Sequence, residues 1–447
     1  MLPDRGSTAV RLWLIAAVLL SLISYYLLVY QTSRTDFSSI LIYYLVLSTV
    51  YILVIRTLDA NLLQWALAAA ILFRISMLLA VPELSDDFYR FIWDGRLLAQ
   101  GISPFADLPS ELMADPLFNA SPLDQLLYEG MNSPNYFTVY PPVSQMIFLL
   151  AAKIFPDSIT GNVIIMRLVI LLCEAGSLWL IIKILKGYGL QSKKVLVYAW
   201  NPLVIIELTG NLHFEAIMIF FVLLAIYGLQ KNQWKLSATS MGAAIATKLI
   251  PLIFLPLLVF RMTWRKVAGY WLLCGAVVLL FFLSVWNPEL IDGMRSSLTL
   301  YFQKFEFNAS IYYLVREIGY VVKGYNVIQE AGRLMPLITL LIILAMSWYS
   351  GKIMSWPNAM LLALTVYLLL ATTVHPWYIT PLVALAVFSE LKFPIVWSLA
   401  IIVSYAGYTE KGFHENLILV VVEYLLVLIA ALWDIRKAIA AGVFVKT

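Results

Sequence analysis

The chain has 447 residues, of which 62% are hydrophobic and only 13% charged, and its mean hydropathy is +0.87. So little charge excludes a soluble globular domain and makes a lipid bilayer the solvent. A net charge of +4 without a basic, aromatic-laced cluster excludes a nucleic-acid partner, and Cys173 and Cys274 sit in apolar runs with neither disulfide nor metal-ligand spacing.

Apolar runs of about 17–25 residues separated by polar loops predict membrane helices. They fall near 10–30, 38–56, 60–82, 162–184, 195–211, 214–230, 267–286, 334–351, 357–374, 377–391, 394–408 and 416–435. The first follows Arg5 and Arg11 and is too long for a signal-peptide core, so it is read as an uncleaved helix. The fold class expected is an all-α polytopic membrane protein with about 12–14 transmembrane helices, forming a single domain over 1–447. Two loops interrupt it, at 83–161 with short interfacial helices and at 287–333.

Basic residues set the orientation. Arg56, Lys183, Lys186, Lys193, Lys194, Lys231, Lys235, Lys352, Lys392, Arg436 and Lys437 all follow apolar runs. Placing them inside predicts cytoplasmic termini and both loops on the extracytoplasmic face of the membrane. Residues 141–155 then lie on or dip into the outer face. Residues 236–260 would span ~37 Å as one helix, but basic residues flank both ends, so a broken pair hinged near Lys248 and Pro251 is expected.

The first long loop is the most informative stretch. Residues 83–145 carry Glu83, Asp86, Asp87, Asp94, Asp107, Glu111, Asp115, Asp124 and Glu129 against only Arg90 and Arg96. Ordinary connections are short, so this length points to a site, and paired carboxylates point to acid/base chemistry. Either Asp86 or Asp87 can serve as a general base toward a hydroxyl. The plainer reading is an acidic helix start after Ser85. Arg90, Asp94 and Arg96 follow at helical spacing.

Arg74, within the third run, and Lys248, between two apolar half-segments, are costly in lipid unless they face a cavity or a partner. Both suit a phosphate; snorkelling or a structural ion pair is the alternative. His213 and Glu215 in GNLHFE, Asn308 in FNASIYYLVRE, and His375 with Trp377 in HPWY fall at predicted outer ends. An interfacial aromatic belt also accounts for HPWY, and the histidines are too sparse for zinc.

These residues resemble a known family. SDDFYRFIWDGRLLAQGISPF (85–105) looks like the first-loop signature of the GT-C superfamily of membrane glycosyltransferases, and more narrowly of bacterial polyprenyl-phosphate-mannose-dependent mannosyltransferases. YPPVSQ (140–145), WNPLVIIELTGNLHFE (200–215), ATKLIPLIFLP (246–256), FNASIYYL (307–314) and HPWY (375–378) extend the likeness along most of the chain. The resemblance implies an inverting transfer of a hexose, mannose by the likeness, from a polyprenyl-phosphate donor to a lipid or glycan acceptor, without a metal or other cofactor. It implies Asp87 or Asp86 as the base and does not choose between them. Lys248, Arg74 and Arg90 become candidates for the donor phosphate. Asp94, Arg96, Tyr140, His213, Glu215, Asn308, His375 and Trp377 become candidates for the substrate pocket. The early hairpin before the loop departs from relatives whose loop follows the first helix directly.

Two other classes fit an intramembrane charge pattern. A lipid-linked oligosaccharide flippase or transporter lacks support because no paired internal repeat is visible. An O-antigen ligase or polymerase would carry its large loop late in the chain, whereas this one is early.

Overall fold

Apolar residues alone would make most of this chain helical; proline, asparagine and glycine decide where each helix stops. The computed structural model describes residues 5–440. The expectation of cytoplasmic termini extends to residues 1–4 and 441–447, which lie outside the described residues. Among the described residues the chain is all-α, apart from a minimal hairpin of Tyr408–Thr409 with Gly412–Phe413 and an isolated parallel bridge between Phe307 and Thr373.

Six helices among the described residues are long and apolar enough to cross a bilayer: Thr8–Tyr30, Phe37–Thr57, Ile159–Gly187, Trp264–Leu283, Ile328–Tyr349 and Leu417–Ala440. The helices Pro202–Gly210 and Glu215–Gln230 pass the same test only as a pair with a break between them, which makes up to seven spans if the pair counts as one. The protein is therefore a multi-pass membrane protein. The expected dozen is reached only by adding the shorter apolar helices Ala60–Ser76, Pro142–Ile154, Trp356–Leu370, Pro376–Ala386 and Phe393–Gly407. As straight α-helices these are shorter than the ~30 Å hydrocarbon core requires.

Several departures have local causes. The predicted run 195–211 is not one helix. It breaks at Asn201-Pro202, where Asn201 caps the next turn through Val204 N, and continues as a π-helical turn over Ile205–Gly210. The run 236–260 divides where the basic flanks imply. An α-helix over Trp234–Thr247 ends at Lys248, whose backbone is extended (φ −149°, ψ 141°), and a 3-10 helix follows over Ile250–Leu258. Pro251 has no N–H to return to the Thr247 carbonyl, so the α-helix cannot run on through it, and the chain restarts with Pro251 in the first turn of the 3-10 helix.

Contacts group the chain into two compact units. One comprises residues up to Leu84, Ile181–His213 and the chain from Pro376 onward. Its polar seams sit inside apolar packing. Tyr44 donates to the Ser398 carbonyl, Trp200 Nε1 to the Ala66 carbonyl, and Trp397 Nε1 to Glu423. Asp434 on helix Leu417–Ala440 accepts from the Lys392 and Phe393 amides at 2.6 and 2.9 Å, satisfying the start of helix Phe393–Ala400.

The other unit comprises Ser85–Leu180 and Phe214–His375. Helix Asp87–Ala99 crosses Pro142–Ile154 at Gly95, where a Cβ would overlap the Phe148 carbonyl, so only glycine allows this approach. Helices Glu215–Gln230 and Trp234–Thr247 form an antiparallel hairpin whose turn uses Asn232 at φ 58°.

The second long loop folds into helices Leu290–Gln303 and Ile311–Lys323, the latter ended by left-handed Gly324. Along Ile311–Lys323, Leu314, Ile318, Val321 and Val322 are exposed while Tyr312 and Tyr313 are buried. That apolar stripe, with Lys323 and Tyr325 beside it, has the chemistry of a helix lying in the lipid interface. A fluorophore on Val321→Cys should be quenched by brominated lipids in proteoliposomes, and one on Glu317→Cys should not; equal quenching at both would refute an interfacial helix.

Candidate active site

Ser85 begins the site. Its Oγ accepts from the Asp87 amide at 3.3 Å, and helix Asp87–Ala99 starts there. Asp87 thus occupies a first helical turn, where the dipole favours an anion. The Tyr140 hydroxyl donates to Asp87 Oδ2 at 3.0 Å, and the Asn132 amide donates to Oδ1 at 3.4 Å. Both partners are neutral. Asp86 stands one residue outside the helix and makes no side-chain cap bond.

Tyr140 is aimed by the two prolines that follow it. Pro141 takes an extended N-cap conformation and Pro142 begins helix Pro142–Ile154, so the tyrosine is kept out of the helix. Phe91 and Phe148 pack edge-on against its ring, and Phe214 packs in turn against both phenylalanines. Burial, followed by the charge and hydrogen bond of Asp87 and the charges of Glu215 and Asp94, pushes its phenol well above the usual range. Tyr140 therefore stays a hydrogen-bond donor.

On the face of the same ring lies Lys248, its Nζ 5.1 Å from the ring centroid. Nζ is also 3.0 Å from Oε1 of the fully buried Glu215, the first residue of helix Glu215–Gln230. Asp87, Tyr140, Lys248 and Glu215, spread over more than 160 positions of sequence, are thus joined through one tyrosine.

Arg90 and Arg96 are placed otherwise than a substrate-facing role requires. Buried Arg90 donates from Nε to Asp94 Oδ1 at 2.7 Å and from Nη1 to the Ser133 and Tyr136 carbonyls. Asp94 also accepts from Gln145, which in turn reaches Thr138. This pair braces the segment leading to Tyr140 and engages Arg90 Nε and Nη1 within the protein. Arg96 pairs with Asp124 through Nε at 2.7 Å, donates to Ser121 Oγ, and reaches the Pro156 carbonyl. It clamps the loop, and Asp94 and Arg96 are better described as its internal supports than as pocket walls.

In the first unit, fully buried Arg74 donates to the Ala70 and Ala199 carbonyls at 3.0 and 2.9 Å. His213 follows left-handed Leu212, stacks on Trp377 with centroids 3.7 Å apart, and lies 3.3 Å from Glu207. Glu207 accepts from Tyr405 at 2.8 Å and from Asn211 at 3.0 Å. In the second unit, Asn308 (φ 45°) and His375 flank the Phe307–Thr373 bridge, and the His375 ring lies 4.5 Å from that of Phe307.

Sequence reasoning missed Asn132, Gln145 and Glu207. The first two are ordinary polar residues with no signal of their own. Glu207 did carry one, being an acid inside an apolar run.

A family model described as the alpha-(1->6)-mannopyranosyltransferase N-terminal domain matches residues 8–264, more than half of the chain. The chain belongs to the MptA_B family. Its members' likeness extends to curated relatives. The chain is 23% identical over 203 residues to alpha-(1->6)-mannopyranosyltransferase A of Corynebacterium glutamicum, covering 45% of this chain and 39% of that protein. It is 26% identical over 231 residues to alpha-(1->6)-mannopyranosyltransferase A of Mycobacterium tuberculosis, covering 49% and 42%. A form B from C. glutamicum is 27% identical over 151 residues, 34% and 24% of the two chains. The matches thus span about two fifths or less of these relatives' own length. Membership in the MptA_B family bears out the resemblance to membrane mannosyltransferases read from the loop, and the matched region contains Asp87, Tyr140, Glu215 and Lys248.

Proposed function

We propose that this chain is a membrane mannosyltransferase that moves mannose from a polyprenyl-phosphate donor to a hydroxyl of a lipid or glycan acceptor. One observation carries the reading: Tyr140 binds Asp87 through its hydroxyl while its ring face meets Lys248. A base and a cation placed around one side chain suit a reaction that removes a proton at one end and releases a phosphate at the other. The family relationship supplies the sugar.

In this mechanism Asp87 accepts the acceptor's hydroxyl proton as that oxygen attacks the anomeric carbon. The carbon–oxygen bond to the phosphate breaks on the opposite side, inverting the configuration, and polyprenyl phosphate departs with the bonding electrons. Lys248 neutralises the charge growing on the phosphate. Asp87 suits the base because its partners are neutral donors, whereas Asp94 is neutralised by Arg90. His213, Trp377, Asn308 and His375 are assigned to sugar and acceptor contacts, residues 1–447 to one transferase domain, and the site to the extracytoplasmic face with cytoplasmic termini, as the basic loops imply.

The test is transfer itself. Purified protein incubated with radiolabelled polyprenyl-phosphate mannose and candidate glycolipid acceptors should yield a labelled glycoside of opposite anomeric configuration to the donor. Retained configuration would remove the single-displacement mechanism. Movement of the labelled lipid across proteoliposomes without a new glycoside would mark a flippase instead.

A further inference from the structure

Lys248 has a neighbour whose role the transfer mechanism leaves unexplained. Glu215 is fully buried at 0% exposure, its Oε1 lies 3.0 Å from Lys248 Nζ, and its Oε2 meets no donor among the described residues. The contact is a buried ion pair that engages one carboxylate oxygen. On its other side the ammonium meets the Tyr140 ring face, which is not a lone-pair acceptor. An ammonium has three donors, and a cradle of one carboxylate oxygen and one ring face leaves at least one of them free. The carboxylate is itself steadied by the start of helix Glu215–Gln230.

We propose that Glu215 is a positioning residue that fixes the Lys248 ammonium through a single-oxygen ion pair, so that its remaining N–H groups stay available for the donor's phosphate oxygens. This rests on the assignment of Lys248 to the phosphate. In this role Glu215 acts through Lys248 and not by contact with sugar or acceptor. A purely structural ion pair would look similar in stability measurements, so binding must be read alongside stability.

The experiment uses the full chain in detergent, with farnesyl phosphate as the probe for affinity and thermal unfolding as the second readout. Lys248→Met should weaken farnesyl phosphate binding on the order of tenfold or more, and Glu215→Gln roughly fivefold. With methionine already at 248, adding Glu215→Gln should weaken binding no further, because the carboxylate acts only through the lysine. Stability should behave in the opposite way: each single variant melts below wild type, while the double variant recovers, since removing one partner strands a buried charge and removing both does not. Should Glu215→Gln fail to fold, the comparison of the double variant with Lys248→Met still decides the binding term. Glu215→Asp, which keeps the charge, should then bind more tightly than the double variant.

Wild-type affinity in Glu215→Gln overturns the proposal. So does an equal loss of binding from Glu215→Gln whether lysine or methionine stands at 248. If Lys248→Met binds as wild type does, the phosphate assignment and the proposal fall together. If wild type binds farnesyl phosphate but transfers no mannose, the transferase reading fails and the positioning role stands.

Discussion

Asp87→Asn is expected to lower the turnover of mannosyl transfer by roughly 10²–10⁴-fold while leaving donor affinity within about threefold of wild type. The asparagine keeps the size of the side chain and its place in the first turn of helix Asp87–Ala99, so the helix and the Tyr140 contact can persist. What it loses is a lone pair able to accept a proton. Tyr140 cannot substitute, because its phenol is pushed up by burial and by the surrounding carboxylates and remains a donor. Asp94 cannot substitute either, being buried and paired with Arg90 at 2.7 Å. Asp86→Asn, by contrast, should stay within about fivefold of wild type, as a residue outside the helix that provides no cap bond. The reverse pattern would transfer the role to Asp86. Wild-type turnover in both variants would end carboxylate-base catalysis by this loop.

The adjacency of those two aspartates shows where sequence reasoning stops. Their presence in an acidic loop after an apolar run is a local signal and was legible, as were the helices Phe37–Thr57, Ile159–Gly187 and Leu417–Ala440, whose apolar runs contain no proline. Which aspartate faces Tyr140 depends on how residues 132–142 return against helix Asp87–Ala99, and no local pattern encodes that return. The same holds for Arg90. The family resemblance made it a candidate for the donor phosphate, and its partners include carbonyls at Ser133 and Tyr136, more than 40 residues away. A guanidinium in a sequence shows that a partner must exist when it is buried, not which one.

Proline placement was only half legible. Pro251 announced a break in the run 236–260, and the chain does break at Lys248. Pro202 sits in an equally apolar run and was read through, yet Asn201-Pro202 ends one short helix and starts another. The difference was charge: basic residues flanking 236–260 made a single span costly under the orientation rule, while no such constraint bore on 195–211. The π-helical turn that follows brings Glu207, Asn211 and His213 together, an arrangement that an expected 3.6-residue period could not suggest.

Arg96→Met is expected to destabilise the first long loop by about 3–5 kcal/mol and to abolish transfer with it. Arg96 joins three segments: its own helix, the Ser121–Asp124 turn, and the Pro156 carbonyl ahead of helix Ile159–Gly187. Its loss leaves the buried Asp124 carboxylate with Ser121 alone. In the wild type burial pushes the Asp124 carboxyl up, but hydrogen bonds from Arg96 and Ser121, with the Arg96 charge, outweigh it and hold the group below its usual value. The sign follows: a depressed folded value means the group's contribution is complete above the ordinary carboxylate range and is lost as pH falls through that depressed value. Without Arg96 only Ser121 opposes burial, the largest single influence, so the depression is expected to be lost and acidification toward the carboxylate range to stabilise the variant relative to neutral pH. Limited proteolysis of the loop between pH 4.5 and 7.5 reads this directly, with protection expected to rise toward acid in Arg96→Met and to fall or stay level in wild type. Replacing Asp124 by asparagine in the same variant should remove the reversed slope. Matching protection profiles for wild type and Arg96→Met would show that the loop is held by other contacts and that the buried clamp contributes little.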